Sequence, residues 1–273
     1  MMKLVYKYRV INWNLSCSGK IETKLNYLES FIRDLNTNWI ICLEELTEHS
    51  ARTARNRDSF KQLYYSLDLR KPGNFDGENR KLGCAIAISK GLNVKSFALI
   101  DRAPFPERTL EAEIIDVRNN LAINALVFHS LTGVGYKKAK SAQFSALLER
   151  LSIVKDEMFI LCGDFNEPKV DAVNPKDNEY FNQAGDKGIY AKQLFEPKGT
   201  HSLNDAYRLY TKNNKPSILA SPLAVSHKVA GGAERRYDYI FLSKFQVSNI
   251  EYRYNESIEA GSDHALVVAD IAI

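Results

Sequence analysis

The stretch MFILCGDFNEPK, residues 158–169, decides how this chain is read. Met158 to Cys162 form an apolar run of strand length that stops at Gly163. Asp164 and Asn166 follow, two positions apart. A carboxylate and an amide at the end of a buried strand either close a turn, as in an Asx-turn after the glycine, or serve chemistry.

Other apolar runs end the same way. RVINWN ends at Asn14, WIICLEE at Glu44 and Glu45, and INALVFH at His129. RRYDYIF sets Asp238 at the start of an apolar run, and GSDH (261–264) places Asp263 and His264 at the entrance to ALVVADIAI. If the last strands run antiparallel to the earlier ones, all of these groups gather on one edge of the sheets. Taken singly, each has a plainer role: Asn14 as a turn cap, Glu45 as a solvated strand end, His129 as a satisfied core histidine. As a set they comprise acids that can hold a hard divalent cation, two histidines that can donate or transfer protons, and amides that can orient water or a phosphate oxygen. That inventory fits metal-assisted phosphoester hydrolysis.

Competing chemistries lack their residues. Cys17, Cys42, Cys84 and Cys162 are far apart, without zinc-ligand spacing, and read as free thiols. There is no GxSxG elbow and no GxxxxGK[ST] loop.

Strand-like runs at 3–14, 39–44, 82–89, 109–117, 121–129, 158–166, 237–243 and 265–273 outnumber helical patterns. Helical spacing is clearest at Leu25, Leu28, Phe31, Ile32 and Leu35, and from Ala139 to Val154. Consecutive strands between Leu82 and His129 lack an intervening helix, which points to mixed sheets with helices on their outer faces. Neither a repeat nor a linker divides residues 1–273, so a single domain is expected. Three polar stretches, 70–81, 166–188 and 225–236, are candidate rims of a site.

Composition narrows the setting. The chain has 273 residues, 45% hydrophobic and 26% charged, with a net charge of +4, as in ordinary globular proteins. No apolar run has signal-peptide or membrane-spanning length, so a soluble, cytoplasmic protein without a membrane partner is expected. Residues 47–81 carry eight Lys and Arg against five Asp and Glu, which inclines the reading toward a polyanionic partner.

In order, NWN, LEE, FHS, GDFN, RRYDYIF and SDH resemble the motifs of the endonuclease/exonuclease/phosphatase superfamily, which includes DNase I-like and exonuclease III-like enzymes. The resemblance spans nearly the whole chain. It implies a four-layer α/β sandwich, two mixed β-sheets packed face to face and flanked by helices, with Mg²⁺, or alternatively Mn²⁺, as cofactor. By that resemblance Glu45 is the metal-binding glutamate, with Asn14 and Asp263 beside it as ligand-orienting or second-metal groups. Glu44 stands where Gln is usual. Asp164 matches the residue that orients or deprotonates the attacking water, and Asn166 the amide that holds that water or a phosphate oxygen. His264 matches the histidine at the scissile phosphate, Asp238 the carboxylate that fixes its tautomer, and His129 the second histidine of the DNase I-like branch. Arg108, Lys137, Lys138 and Lys140 are candidates for phosphate contacts; the three lysines oppose the dipole at the start of a helix.

The superfamily includes nucleases, deadenylases, tyrosyl-DNA phosphodiesterases, inositol-phosphate phosphatases and sphingomyelinases. NWNLSCSGK departs from the WNVNGLR-type run of exonuclease III-like enzymes, and no WW element precedes RRYDYIF. PSILASPLAV, 216–225, is a weak match to a membrane-contacting hairpin. Nucleic acid is the expected substrate. A small-molecule or lipid-headgroup phosphoester is the alternative, and a catalytically silent binding protein the third possibility.

Overall fold

The computed structural model describes residues 6–74, 77–182, 185–196, 199–214 and 220–273. Residues 3–5 of the first expected strand and 216–219 of the apolar stretch lie outside these, as do 75–76 and 183–184 of two polar loops. The strands are β1 (Lys7–Asn14), β2 (Asn38–Leu46), β3 (Leu63–Tyr65), β4 (Gly83–Ile88), β5 (Leu92–Ala98), β6 (Thr109–Asp116) and β7 (Leu121–His129). They continue as β8 (Phe159–Asp164), β9 (Asn204–Asp205), β10 (His227–Lys228), β11 (Glu234–Arg235), β12 (Asp238–Ser243), β13 (Gln246–Arg253) and β14 (Leu266–Ala272). The helices are α1 (Ile21–Ser30), α2 (Glu48–Arg55), α3 (Ser66–Leu69), α4 (Lys137–Ile153), α5 (Ile189–Phe195), α6 (Ala206–Asn214) and α7 (Tyr254–Ala260).

Two six-stranded mixed sheets result, ordered β13-β14-β1-β2-β4-β3 and β5-β6-β7-β8-β12-β9, with β10 and β11 as a separate pair. Their packing accounts for the apolar runs. Successive side chains on a strand point to opposite faces. Val10, Cys42 and Ile86 of the first sheet meet Val127, Ile160 and Ile240 of the second in a shared core. Their neighbours Ile11, Leu43 and Ala87 face outward beneath α1 and α2. On the far side Phe128, Leu161 and Phe241 pack under α4 and α5. Both faces of the central strands are therefore dry, which leaves little polar alternation along them.

The expected helix over Leu25–Leu35 ends at Ser30, and Asp34 then takes a left-handed φ of 60°. The second expected helix forms as α4. Loop 166–188 is tied down by charge: Arg236, fully buried on the approach to β12, pairs with Asp171 of that loop at 2.8 Å and with Asp205 at 2.5 Å. Removing one partner from such a buried pair costs about 3–5 kcal/mol.

Strand direction brings the polar ends together. β1 runs parallel to β2 with Asn14 opposite Glu44, and β7 runs parallel to β8 with His129 opposite Asp164. β12 is antiparallel to β8, which sets Asp238 opposite Asp164. β14 is antiparallel to β1, so the Asp263–His264 entrance comes to the same edge.

Gly163 permits this close pairing. A Cβ there would lie 1.9 Å from the carbonyl oxygen of Phe128, a backbone atom that cannot swing aside. Gly163→Ala is expected to destabilise the fold by about 3 kcal/mol or more, since a buried clash has no soft neighbour to absorb it. Denaturant unfolding reads this directly, and a change below about 1 kcal/mol would contradict the close-approach account.

Candidate active site

β2 settles which glutamate faces the site edge. Leu43 pairs with Ala85 and Leu46 with Gly83, three steps on β2 against two on β4. One residue is therefore extra, a bulge that breaks the alternation. Glu44 goes inward, fully buried, and neither carboxylate oxygen has a hydrogen-bond partner among the described residues. Burial first, then the nearby Asp238 charge, raises its pKa well above the usual range, so it is carried as a neutral acid. Glu45 turns outward with φ of 58°, a left-handed conformation that costs an L-residue about 1–2 kcal/mol. Its Oε2 accepts the Cys17 amide at 3.1 Å.

Asp164 is the hub. Its Oδ1 accepts the Asn166 amide at 3.0 Å, and its Oδ2 accepts from Asn14 Nδ2 at 3.1 Å and Asn166 Nδ2 at 3.3 Å. Asn14 Nδ2 also lies 3.5 Å from Glu45 Oε1, and His129 Nε2 lies 3.6 Å from that oxygen and 3.7 Å from Asp164 Oδ2. On the other side His264 Nδ1 is 2.9 Å from Asp238 Oδ2, with Nε2 3.8 Å from Asp164 Oδ2. Burial, more than its charged neighbours, lifts the Asp164 pKa to about 7; His264 opposes the rise, and Asp238 and Glu45 add to it.

The two histidines take different charge states. Burial would lower the pKa of His264, but Asp238 and Asp164 outweigh it and push the value up to about 10, so the ring is an imidazolium at neutral pH. His129 is driven well below the usual range by burial, by Arg108 and by His264. Its partner is Arg108, whose Nη1 lies 3.0 Å from Nδ1 and 3.1 Å from Nε2. The positive charge on that side therefore belongs to the arginine.

The structure thus brings Asn14, Glu45, His129, Asp164, Asn166, Asp238, His264 and Arg108 together. Asp263 is exposed beside His264. Lys137 and Lys138 are exposed on the first turn of α4, whereas Lys140 is buried, its ammonium 2.9 Å from Glu167 Oε1 and 2.9 Å from the Asn166 carbonyl. The expected phosphate contact of Lys140 is corrected accordingly, because its charge is already engaged in holding the loop that carries Asn166. The basic excess over 47–81 is also largely used within the chain. Arg52, Arg55, Arg57, Lys61, Arg70, Arg80 and Lys81 all pair with its acids.

Several participants were not legible in the sequence. Ser262 Oγ donates to the Asn14 carbonyl at 2.6 Å and accepts the His264 amide at 3.1 Å, and Trp13 Nε1 donates to the His264 carbonyl at 3.0 Å. His227, from the 225–236 loop, stacks on His264 with centroids 4.3 Å apart. Ser262 begins the SDH motif, which was its available signal.

Oxygen donors dominate this edge, as a hard divalent cation requires. Burial first, and then the neighbouring Asp238 and Glu45 charges, disfavour the ionised form of Asp164, and a cation bound beside it would favour that form. Two triplets have ligand atoms within 4.8 Å of one another: Asp164, Asp238 and His264, and His227, Asp263 and His264.

A four-layer sandwich with such an edge defines the class of DNase I-like α/β proteins. The chain belongs to the endonuclease/exonuclease/phosphatase family, which it matches over residues 11–264. Compared with curated protein sequences it has no match. Among solved structures it is similar to truncated Caenorhabditis elegans TDP2, with TM-score 0.67 and 16% identity over 98% of each chain. The human nocturnin catalytic domain with bound sulfate gives TM-score 0.65 and 20% identity, covering 97% of this chain and 94% of that one. For the mannosyl-6-phosphatase Bt3783 of Bacteroides thetaiotaomicron the values are 0.62 and 14%, covering 97% and 100%. At these identities the likeness is one of fold. No helix among the described residues is long and apolar enough to cross a membrane.

The raised pKa of Asp164 makes a sign-specific prediction. Above the ordinary aspartate value of about 4 the unfolded chain ionises this group. The folded chain holds the proton up to about 7. The folded state therefore binds more protons in that window, and the group's contribution to stability falls as pH rises through it. Asp164→Asn should gain stability relative to the parent as pH rises from about 4 to about 7. Thermal melts in EDTA measure this, and a difference constant with pH would contradict it.

Proposed function

We propose that the chain is a divalent-metal-dependent phosphodiesterase, with nucleic acid as substrate. The observation that carries the reading is the convergence on Asp164 of Asn14, Asn166 and the Asp238–His264 pair, with Glu45 and the Arg108–His129 pair alongside.

In the proposed reaction Asn166 and Asp164 orient a water for in-line attack on phosphorus. Asp164, bonded to the Asn166 amide beside that water, takes the water's proton. A bond forms from the water oxygen to phosphorus, and the bond to the leaving oxygen breaks, the leaving oxygen taking a proton from solvent. His264 as imidazolium, held by Asp238, stabilises the charge that grows on the phosphoryl oxygens, and Arg108 does so from the His129 side. Glu45, Asn14 and Asp164 would hold Mg²⁺, which supplies Lewis-acid polarisation of the phosphoryl oxygen. Lys137 and Lys138 remain candidates for phosphate contacts beyond the reacting centre.

Support for a polymeric substrate comes from a groove of about 1020 Å³ beside the site. It reaches Cys17, whose amide holds Glu45, and its lining mixes His49, Lys71 and Lys81 with the acids Glu48, Asp68 and Glu78. One of the similar structures, Danio rerio TDP2, is a complex with single-stranded DNA product. The alternative, a small-molecule phosphoester, is supported by the likeness to the mannosyl-6-phosphatase.

Purified protein assayed with Mg²⁺ on single-stranded DNA, duplex DNA, RNA and a chromogenic phosphodiester tests the proposal. Cleavage of a nucleic acid, abolished by EDTA and reduced about a hundredfold or more in His264→Ala and Asp164→Asn, is the expected result. Glu45→Gln should chiefly raise the metal concentration needed. Near-parental activity in the first two variants would overturn the assignment, and turnover of the small ester alone would favour the alternative.

A further inference from the structure

The polar stretch 225–236 folds as the β10–β11 pair, which joins neither six-stranded sheet. It is nevertheless anchored to the catalytic edge. Fully buried Ser226 accepts the amides of Tyr237 and Asp238 on its Oγ, at 2.8 and 3.1 Å, and its carbonyl accepts the Ala265 amide at 2.7 Å. The next residue, His227, forms an isolated antiparallel bridge with His264.

That bridge brings two imidazoles face to face, 4.3 Å between centroids with 20° between planes. Tyr237 lies on the His227 ring at 6.1 Å and 26°. His227 is itself fixed, because its Nδ1 lies 3.0 Å from the Asp263 carbonyl oxygen, an atom that can only accept. Nδ1 therefore carries the proton. For His264, the Cβ–Cγ bond and the 2.9 Å contact with Asp238 hold one edge of the ring, and out-of-plane tilting of the opposite, Nε2 edge is the motion left. A parallel ring stacked on its face removes that freedom.

We propose that His227 is a positioning residue that sets the plane of the His264 ring, and with it the direction in which Nε2 meets the phosphoester. The inference rests on the phosphoesterase reading for its catalytic consequence, but not for its structural one. A planar ring at 227 is what the role requires, and Tyr237 and the backbone bonds of Ser226 hold that ring in addition to its Nδ1 bond.

The test compares the full chain with His227→Ala and His227→Phe. Two quantities are read: steady-state turnover of the substrate cleaved by the parent, and the NMR resonance of the His264 Nδ1 proton hydrogen-bonded to Asp238. In His227→Ala, kcat should fall about tenfold or more with KM little changed, since misorientation by a small displacement is costly. The proton resonance should broaden or move in a protein that still melts cooperatively. His227→Phe should recover most of both. Parental kcat and an unchanged resonance in His227→Ala would overturn the proposal, as would a His227→Phe variant as impaired as alanine. If the parent turns over none of the substrates, the phosphodiesterase reading fails. The resonance then decides the inference alone, its persistence in His227→Ala overturning it and its loss supporting it.

Discussion

Asp164 occupies the point where three strands must agree. β8 ends on it, β7 delivers His129 opposite it, and antiparallel β12 begins with Asp238 on its other side. This arrangement exists only because the sheets are buried on both faces, so polar side chains are accommodated where strands end rather than along them. Gly163 lets the Phe128 carbonyl approach the β8 backbone closely enough for the register to hold. Fold and site are therefore one constraint: moving any of these strands by a residue turns a functional side chain into the core and a core side chain to the surface.

Electrostatics follows from the geometry. Burying Asp164 near other carboxylates makes it a weak enough acid to exchange a proton near neutral pH, while the same carboxylates keep His264 charged. His129, buried and facing Arg108, is kept neutral. Two histidines at one edge are thus driven in opposite directions by their surroundings, which is how a single site acquires both a cationic group and a neutral one. Glu44 takes no part at the surface; it lies buried as a neutral acid among the polar residues beneath.

The central strands and the site ends were legible because a strand that must stay dry on both faces tolerates a carboxylate, amide or histidine only where it ends. The edge strands were less so: β5 (LNVKSFA) and β13 (QVSNIEYR) expose much of one face and mix polar residues into a short pattern. The choice between Glu44 and Glu45 depended on a bulge against β4, a pairing the local sequence does not encode. Lys140 resembled a phosphate ligand until folding placed Glu167 against it. The basic stretch 47–81 likewise met its acids only in three dimensions, as when Arg57 reached Glu29 and Arg80 reached buried Glu107. His227 was hidden because stacking on His264 is set by a hairpin that contacts the site through backbone bonds.

In the proposed reaction the carboxylates at this edge form a divalent-cation site. Titration of Mg²⁺ into the protein at pH 8, followed by both calorimetry and thermal melting, tests it most directly. Saturable binding is expected, with stability rising as the metal is added, about 2.7 kcal/mol at a hundredfold excess over Kd, and weaker binding in Glu45→Gln. A stability indifferent to Mg²⁺, or an identical response in Glu45→Gln, would contradict it.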